Sequence, residues 1–178
     1  MRDETLGTGT MRGYSRFQTA MLVLLRILIG WHFMYEGLAK LTNPYWTSAG
    51  YLAESKWWFS GIFEAIAANP TLLTVVDHIN AWGLLLIGMG LMFGLFTRAA
   101  TIAGIALLIL YYVAVPPFAG YSYAMPTEGS YLVVNKVLIE LVALAVLLAF
   151  PTGRLYGLDR IVPWNRGTDD VALHRAES

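Results

Sequence analysis

Four stretches of this chain are too apolar and too long to leave in water. The first, 20–41, reads AMLVLLRILIGWHFMYEGLAKL, and the second, 81–96, reads AWGLLLIGMGLMFGLF without a single charge. The third, 99–115, reads AATIAGIALLILYYVAV, and the fourth, 131–150, reads YLVVNKVLIELVALAVLLAF. A helix needs about 20 apolar residues to cross a hydrocarbon core. A membrane barrel would instead alternate apolar and polar positions in pieces of about ten residues, and none of these stretches alternates. The expected fold is therefore all-α, an integral membrane four-helix bundle. Only Thr97 and Arg98 part the second stretch from the third, so these two are expected to form a tight antiparallel hairpin. The first stretch is not a signal peptide: it starts late, carries charges, and no small-residue cleavage site follows it.

Composition excludes the other classes. Hydrophobic residues make up 57% of the chain and charged residues 13%, about half the charge of a soluble domain. The mean hydropathy is +0.55. A soluble enzyme and a disordered chain both need more charge. Lys+Arg 12 against Asp+Glu 12 leaves no basic excess for nucleic acid. With no Cys there is no thiolate nucleophile, disulfide, Cys-ligated metal or covalent haem.

Orientation follows from Lys and Arg outside the spans. Arg2, Arg12, Arg16, Arg98, Arg154, Arg160, Arg166 and Arg175 fall on one side, against Lys56 alone on the other. Both termini are expected in the cytoplasm. The organisation is then a cytoplasmic tail over 1–18, a four-helix domain over 19–162 and a second cytoplasmic tail over 163–178.

The first outer loop, 42–80, has structure of its own. KWWFSGIFEAIAANP places Trp58, Phe59, Ile62, Phe63 and Ile66 at helical spacing, which predicts an amphipathic interfacial helix. Asn69 and Pro70 form an N-cap and a first-turn proline, so the second membrane helix begins near Thr71 and protrudes past Asp77 and His78. The second outer loop, PPFAGYSYAMPTEGSY, holds three prolines and several aromatics and is expected to fold as a cap.

The informative residues are the ionisable ones within the spans: Arg26, His32, Glu36 and Lys40 in the first, and Lys136 and Glu140, beside Asn135, in the fourth. A mid-bilayer charge costs about 2.5–3.5 kcal/mol on insertion scales, and such groups survive by facing protein and pairing. His32, Glu36 and Lys40 stand at i, i+4 and i+8 on one helix face. Counted inward from the outer ends, Glu36 matches Lys136 and His32 matches Glu140, so an antiparallel pair of helices brings them together. Tyr111, Tyr112, Asn80 and Trp82 lie in the same outer half. Arg26 lies apart, where its stem can snorkel toward anionic headgroups. A b-type haem would want a second axial histidine at matching depth, and neither His78 nor His174 provides one, so no haem or other metal is expected. Gly90 and Gly94 form a GxxxG, continued by Gly83, Ala100 and Gly104, for close helix packing within the bundle.

Three segments carry a family resemblance. RILIGWHFMYEGLAKL resembles the opening of DoxX proteins. NPTLLTVVDHINAWGLLLIGMGLMFGLFTRAA resembles the DoxD-like branch, the small membrane subunit of thiosulfate:quinone oxidoreductase, and GRLYGLDRI resembles that family's ending. The resemblance implies a bacterial or archaeal cytoplasmic (inner) membrane protein linked to quinone redox chemistry. A second subunit would complete the enzyme, and the absence of Cys excludes a persulfide on this one.

Two functions follow from these readings. In the first, the chain is the membrane subunit of a quinone-linked oxidoreductase. His32 and Glu36 handle protons, since imidazole and carboxylate can be tuned toward neutral pH. Lys40 and Lys136 attract negative charge, Asn80, Asn135 and Glu140 add polar contacts, and Trp82, Tyr111 and Tyr112 wall the quinone ring. In the second, the chain is a non-catalytic accessory or scaffold subunit of a larger membrane complex, its charges holding the bundle and its outer loops docking partner subunits from the membrane or the extracytoplasmic side. A transporter lacks support, with no inverted repeat and no broken midplane helix.

Overall fold

The computed structural model describes residues 15–118, 120, 123, 132–150, 152–153 and 156–160. They are mostly helical, with no strand among the described residues. The order is α1 (Arg16–Thr42), α2 (Ala49–Ala53), α3 (Ser60–Ala68), α4 (Pro70–Phe93), α5 (Thr97–Ala114), α6 (Lys136–Ala149) and a short 3-10 turn, Leu158–Arg160. Three helices, α1, α4 and α5, are long and apolar enough to cross a membrane. Residues 1–14, the whole second tail and most of the second outer loop lie outside the described residues, and the last residues of the expected first tail, 16–18, already belong to α1.

Local chemistry sets the helix ends. Ser15 and Gln18 form a reciprocal capping box on α1. The Asn69 side chain accepts from the backbone N–H of Thr71 and Leu72, with Pro70 at the first helical position, as the sequence predicts. The interfacial helix is shorter than expected: α3 starts only at Ser60, so Lys56, Trp57, Trp58 and Phe59 precede it, and a further short helix, α2, lies before them.

Two boundaries differ from the sequence reading. The α4–α5 turn falls at Gly94–Phe96 rather than at Thr97 and Arg98, which already belong to α5. Gly94 ends α4 in the left-handed region at φ 67, a conformation that glycine adopts without strain. Phe96 also has positive φ, 49. The fourth apolar stretch becomes helical only at Lys136, because the Asn135 side chain caps α6 by accepting from Leu138 N–H. Residues 132–135 are non-helical, and Leu132 sits at φ 64.

One hydrophobic core draws on four helices: Ile29 and Phe33 from α1, Leu84, Ile87 and Leu91 from α4, Ala100 and Leu108 from α5, and Leu144 and Leu147 from α6. The tightest contact joins α1 to α4. A Cβ built on Gly88 would stand 2.2 Å from Met34 N, one on Gly37 would stand 2.5 Å from Leu85 N, and one on Gly30 would stand 2.6 Å from Met92 N. Backbone thus meets backbone, the small-residue packing expected in lipid. Of the small residues the sequence reading names, Gly90 packs against Ala100 (3.0 Å from an added Cβ) and Gly104 against Leu144 (2.9 Å), whereas Gly94 ends its helix and Gly83 faces open space.

Candidate functional site

The polar ladder stands on α1. His32 Nε2 lies 3.3 Å from Glu140 Oε1 of α6, so the residues matched by depth do meet. One turn further along α1 from His32, Glu36 takes Lys40 of its own helix as partner, with Lys40 Nζ 3.4 Å from Glu36 Oε2. An i, i+4 Glu-to-Lys spacing always lies within reach on a helix. Lys136 stands exposed at the first position of α6, and Asn135 is used as that helix's cap.

Aromatic rings enclose Lys40. Its Nζ lies 5.3 Å from the Trp46 ring and 5.9 Å from the Tyr111 ring, a cation–π arrangement that leaves the side chain only 15% exposed. The Tyr111 hydroxyl donates to Asn80 Oδ1, and the Tyr51 hydroxyl donates to the Tyr111 carbonyl at 2.8 Å. The backbone N–H of Ser48 donates to Asp77 Oδ1 at 2.9 Å, as does its hydroxyl. These bonds fasten the segment after α1 over the Lys40 end of the ladder as a lid. Burial pushes the Tyr51 hydroxyl well above the usual tyrosine range.

The other expected residues spread out. Tyr112 donates to the Val133 carbonyl at 2.8 Å, tying the end of α5 to the approach to α6. Trp82 is half exposed. At about 100° per residue it lies about 200° around α4 from Asn80, so the two do not share a face. His32, Glu36, Lys40, Asn80, Tyr111 and Glu140 form the gathered set. Sequence reasoning passed over Trp46 and Tyr51. Both sit in an irregular connection, where no periodicity says which ring folds back.

At the opposite end, Arg26 does not snorkel. It is 2% exposed. Its Nη1 donates to Thr152 Oγ1 at 3.3 Å and its Nη2 to the Tyr156 carbonyl at 2.6 Å. Asp159 accepts from Phe96 N–H at 2.6 Å and Thr97 N–H at 3.0 Å, and also from the Thr97 hydroxyl. It thereby caps α5 from outside that helix, while its own N–H bonds the Gly94 carbonyl at 2.8 Å. Snorkelling loses because folded protein supplies acceptors closer than any headgroup. The described part of GRLYGLDRI is this clasp.

Residues 21–117, more than half of the chain, match the DoxX family. The chain belongs to the DoxX family. The match takes in the α1–α4 glycine contact, the ladder, the lid and Tyr111 of this DoxX protein, and stops before Glu140 and α6. No curated protein and no solved structure matches it. Among the described residues, no three His, Asp or Glu side chains converge as metal ligands would. The DoxX site offers an imidazole facing a carboxylate across two helices, with an aromatic-enclosed ammonium two turns further out.

Proposed function

We propose that this DoxX protein is the membrane subunit of a quinone-linked oxidoreductase, with the quinone head held at the His32–Glu36–Lys40 face of α1. The observation that carries the reading is the His32–Glu140 contact, 3.3 Å between side chains of two separate helices. A half-buried acid–base pair that spans an interface is suited to pass a proton to a ligand lodged beside it. A quinone supplies an acceptor for two electrons and two protons. The residues present fit its head: Lys40 for a carbonyl oxygen, His32 and Glu140 to hold and hand over a proton, and the Trp46 and Tyr111 rings as apolar walls.

In this reading α1, α4, α5 and α6 are four spans, with both termini cytoplasmic by the arginine bias, in the inner membrane of a bacterium or archaeon. The exposed side chains of Trp58, Phe59 and Ile62 insert into the outer headgroup layer beside α3. The DoxD-like resemblance points to thiosulfate as a candidate electron donor, with its oxidation on a second subunit.

The experiment is quinone reduction by the purified protein with its co-purifying partner. His32→Ala and Glu140→Gln each lower kcat by about 100-fold or more, the scale of a lost general acid–base group, while thermal stability falls only slightly. Unchanged turnover in both variants refutes the site. A scaffold role is the rival, favoured by the Glu36–Lys40 pair, which neutralises both charges within one helix. Mild-detergent purification and mass spectrometry decide between them: co-purifying quinone supports the enzyme, and a stoichiometric complex without it supports the scaffold.

A further inference from the structure

We propose that the seam between α1 and α6 opens sideways to the bilayer at Glu36, so that the site takes its ligand from the hydrocarbon and not from the aqueous side. The ligand class is a membrane-dissolved amphiphile with a carbonyl head and an apolar tail. The proposal rests on the quinone reading for the identity of the ligand, but not for the opening.

The argument begins with the helical wheel of α1. With His32 at zero and about 100° per residue, the buried side chains Ile29, Phe33 and Arg26 lie on one flank at about +60° to +120°. The exposed side chains Leu28, Tyr35, Leu24 and Trp31 lie on the other, at about −40° to −100°. Glu36, at about +40°, is nearer the core than His32. Yet the Glu36 side chain is 43% exposed and that of His32 is 32% exposed. Glu36 is thus more exposed than its place on the wheel predicts, while Lys40, further toward the core flank, is not. α6 begins only at Lys136, so its helix can flank α1 from that residue on and no earlier.

The opening has a floor, a roof and lips. The His32–Glu140 contact closes it below. Lys40 under Trp46 and Tyr111 closes it above. Exposed Tyr35 on α1 and Ile139 on α6, both on the Glu36 side of that contact, make the lips. From the aqueous side, a solute meets the lid held by the Tyr51–Tyr111 and Ser48–Asp77 bonds. An ionisable acid between apolar lips favours a ligand whose head hydrogen-bonds and whose tail remains in lipid.

Paired carbodiimides test the route. The full chain in phosphatidylcholine nanodiscs is treated with lipid-soluble dicyclohexylcarbodiimide or with a water-soluble, charged carbodiimide, and adducts are assigned by peptide mass spectrometry. The expected result is an adduct on Glu36 from the lipid-soluble reagent, about tenfold above that from the charged one, which hydrocarbon excludes. The adduct is absent in Glu36→Gln. Equal labelling by both reagents, labelling by the charged one alone, or no label on Glu36 overturns the lateral opening. Decylubiquinone at ten times its dissociation constant then lowers the adduct about tenfold by occupancy. Lipid-phase labelling without that protection overturns the quinone reading and leaves the opening standing.

Discussion

Replacing Gly88 by Ala adds one methyl group where α4 crosses α1. That methyl would lie 2.2 Å from Met34 N, 2.6 Å from Met34 Cα and 2.7 Å from Gly30 O. All three are backbone atoms, so no side chain can turn aside. Ordinary contact begins at 3.4 Å, so the two helices must part by 1.2 Å, the difference between 3.4 and 2.2. Parting them loosens Gly30 against Met92 and Gly37 against Leu85 along the same contact. Overpacking of this kind costs about 1–3 kcal/mol. In a chain of this size each kcal/mol moves the midpoint by about 2–4 °C. The expected Tm loss for Gly88→Ala is therefore about 2–12 °C, read by circular dichroism in detergent. Gly83→Ala is the control on the same helix. Nothing stands within 4 Å of its added Cβ, and the better helix propensity of Ala favours it by about 1 kcal/mol. The pair should move in opposite directions. A Gly88→Ala protein as stable as the parent would refute the close crossing.

The inner clasp gives two further expectations. Arg26→Ala removes both hydrogen bonds to residues 152 and 156 and costs about 2–3 kcal/mol; limited proteolysis then cuts sooner within 152–160. Asp159→Ala strips the start of α5 of its acceptor and costs about 1 kcal/mol, read as a lower Tm. The raised Tyr51 hydroxyl keeps its proton in the fold at pH values where the unfolded chain, near pH 10, releases it. Stability is thus intact below about pH 10 and declines above it. Tyr51→Phe removes this part of the decline in an alkaline Tm series and costs about 1 kcal/mol at neutral pH through the lost bond to Tyr111.

What could be read in advance was what depends on counting along the chain. Apolar runs located α1, α4 and α5, and Asn69–Pro70 gave the start of α4. Equal distances from two span ends brought His32 to Glu140. What escaped depends on conformation at single residues or on distant partners. Hydropathy runs through Gly94 without registering its left-handed backbone, so it puts the turn three residues late. Val133 and Val134 are as apolar as the helix that follows, so the fourth stretch looked longer than α6. Arg26 was assigned to headgroups because its acceptors, Thr152 and the Tyr156 carbonyl, lie more than a hundred residues away. A GxxxG spacing drew attention to Gly90 and Gly94, whereas the α1–α4 crossing uses Gly30, Gly37 and Gly88, which no local pattern singles out.

The helices differ greatly in length. At 1.5 Å per residue, α1 and α4 run about 40 and 36 Å, and α5 and α6 about 27 and 21 Å. A hydrocarbon slab is about 30 Å thick, so if all four helices cross it, as proposed above, α1 and α4 are too tall for it and α5 and α6 too short. Tilting relieves the tall pair, but beside the short pair acyl chains must compress or shorter-tailed lipids must gather. This protein would therefore impose a step in bilayer thickness along its flank, and a thinner membrane would suit its α5–α6 side better than its α1–α4 side.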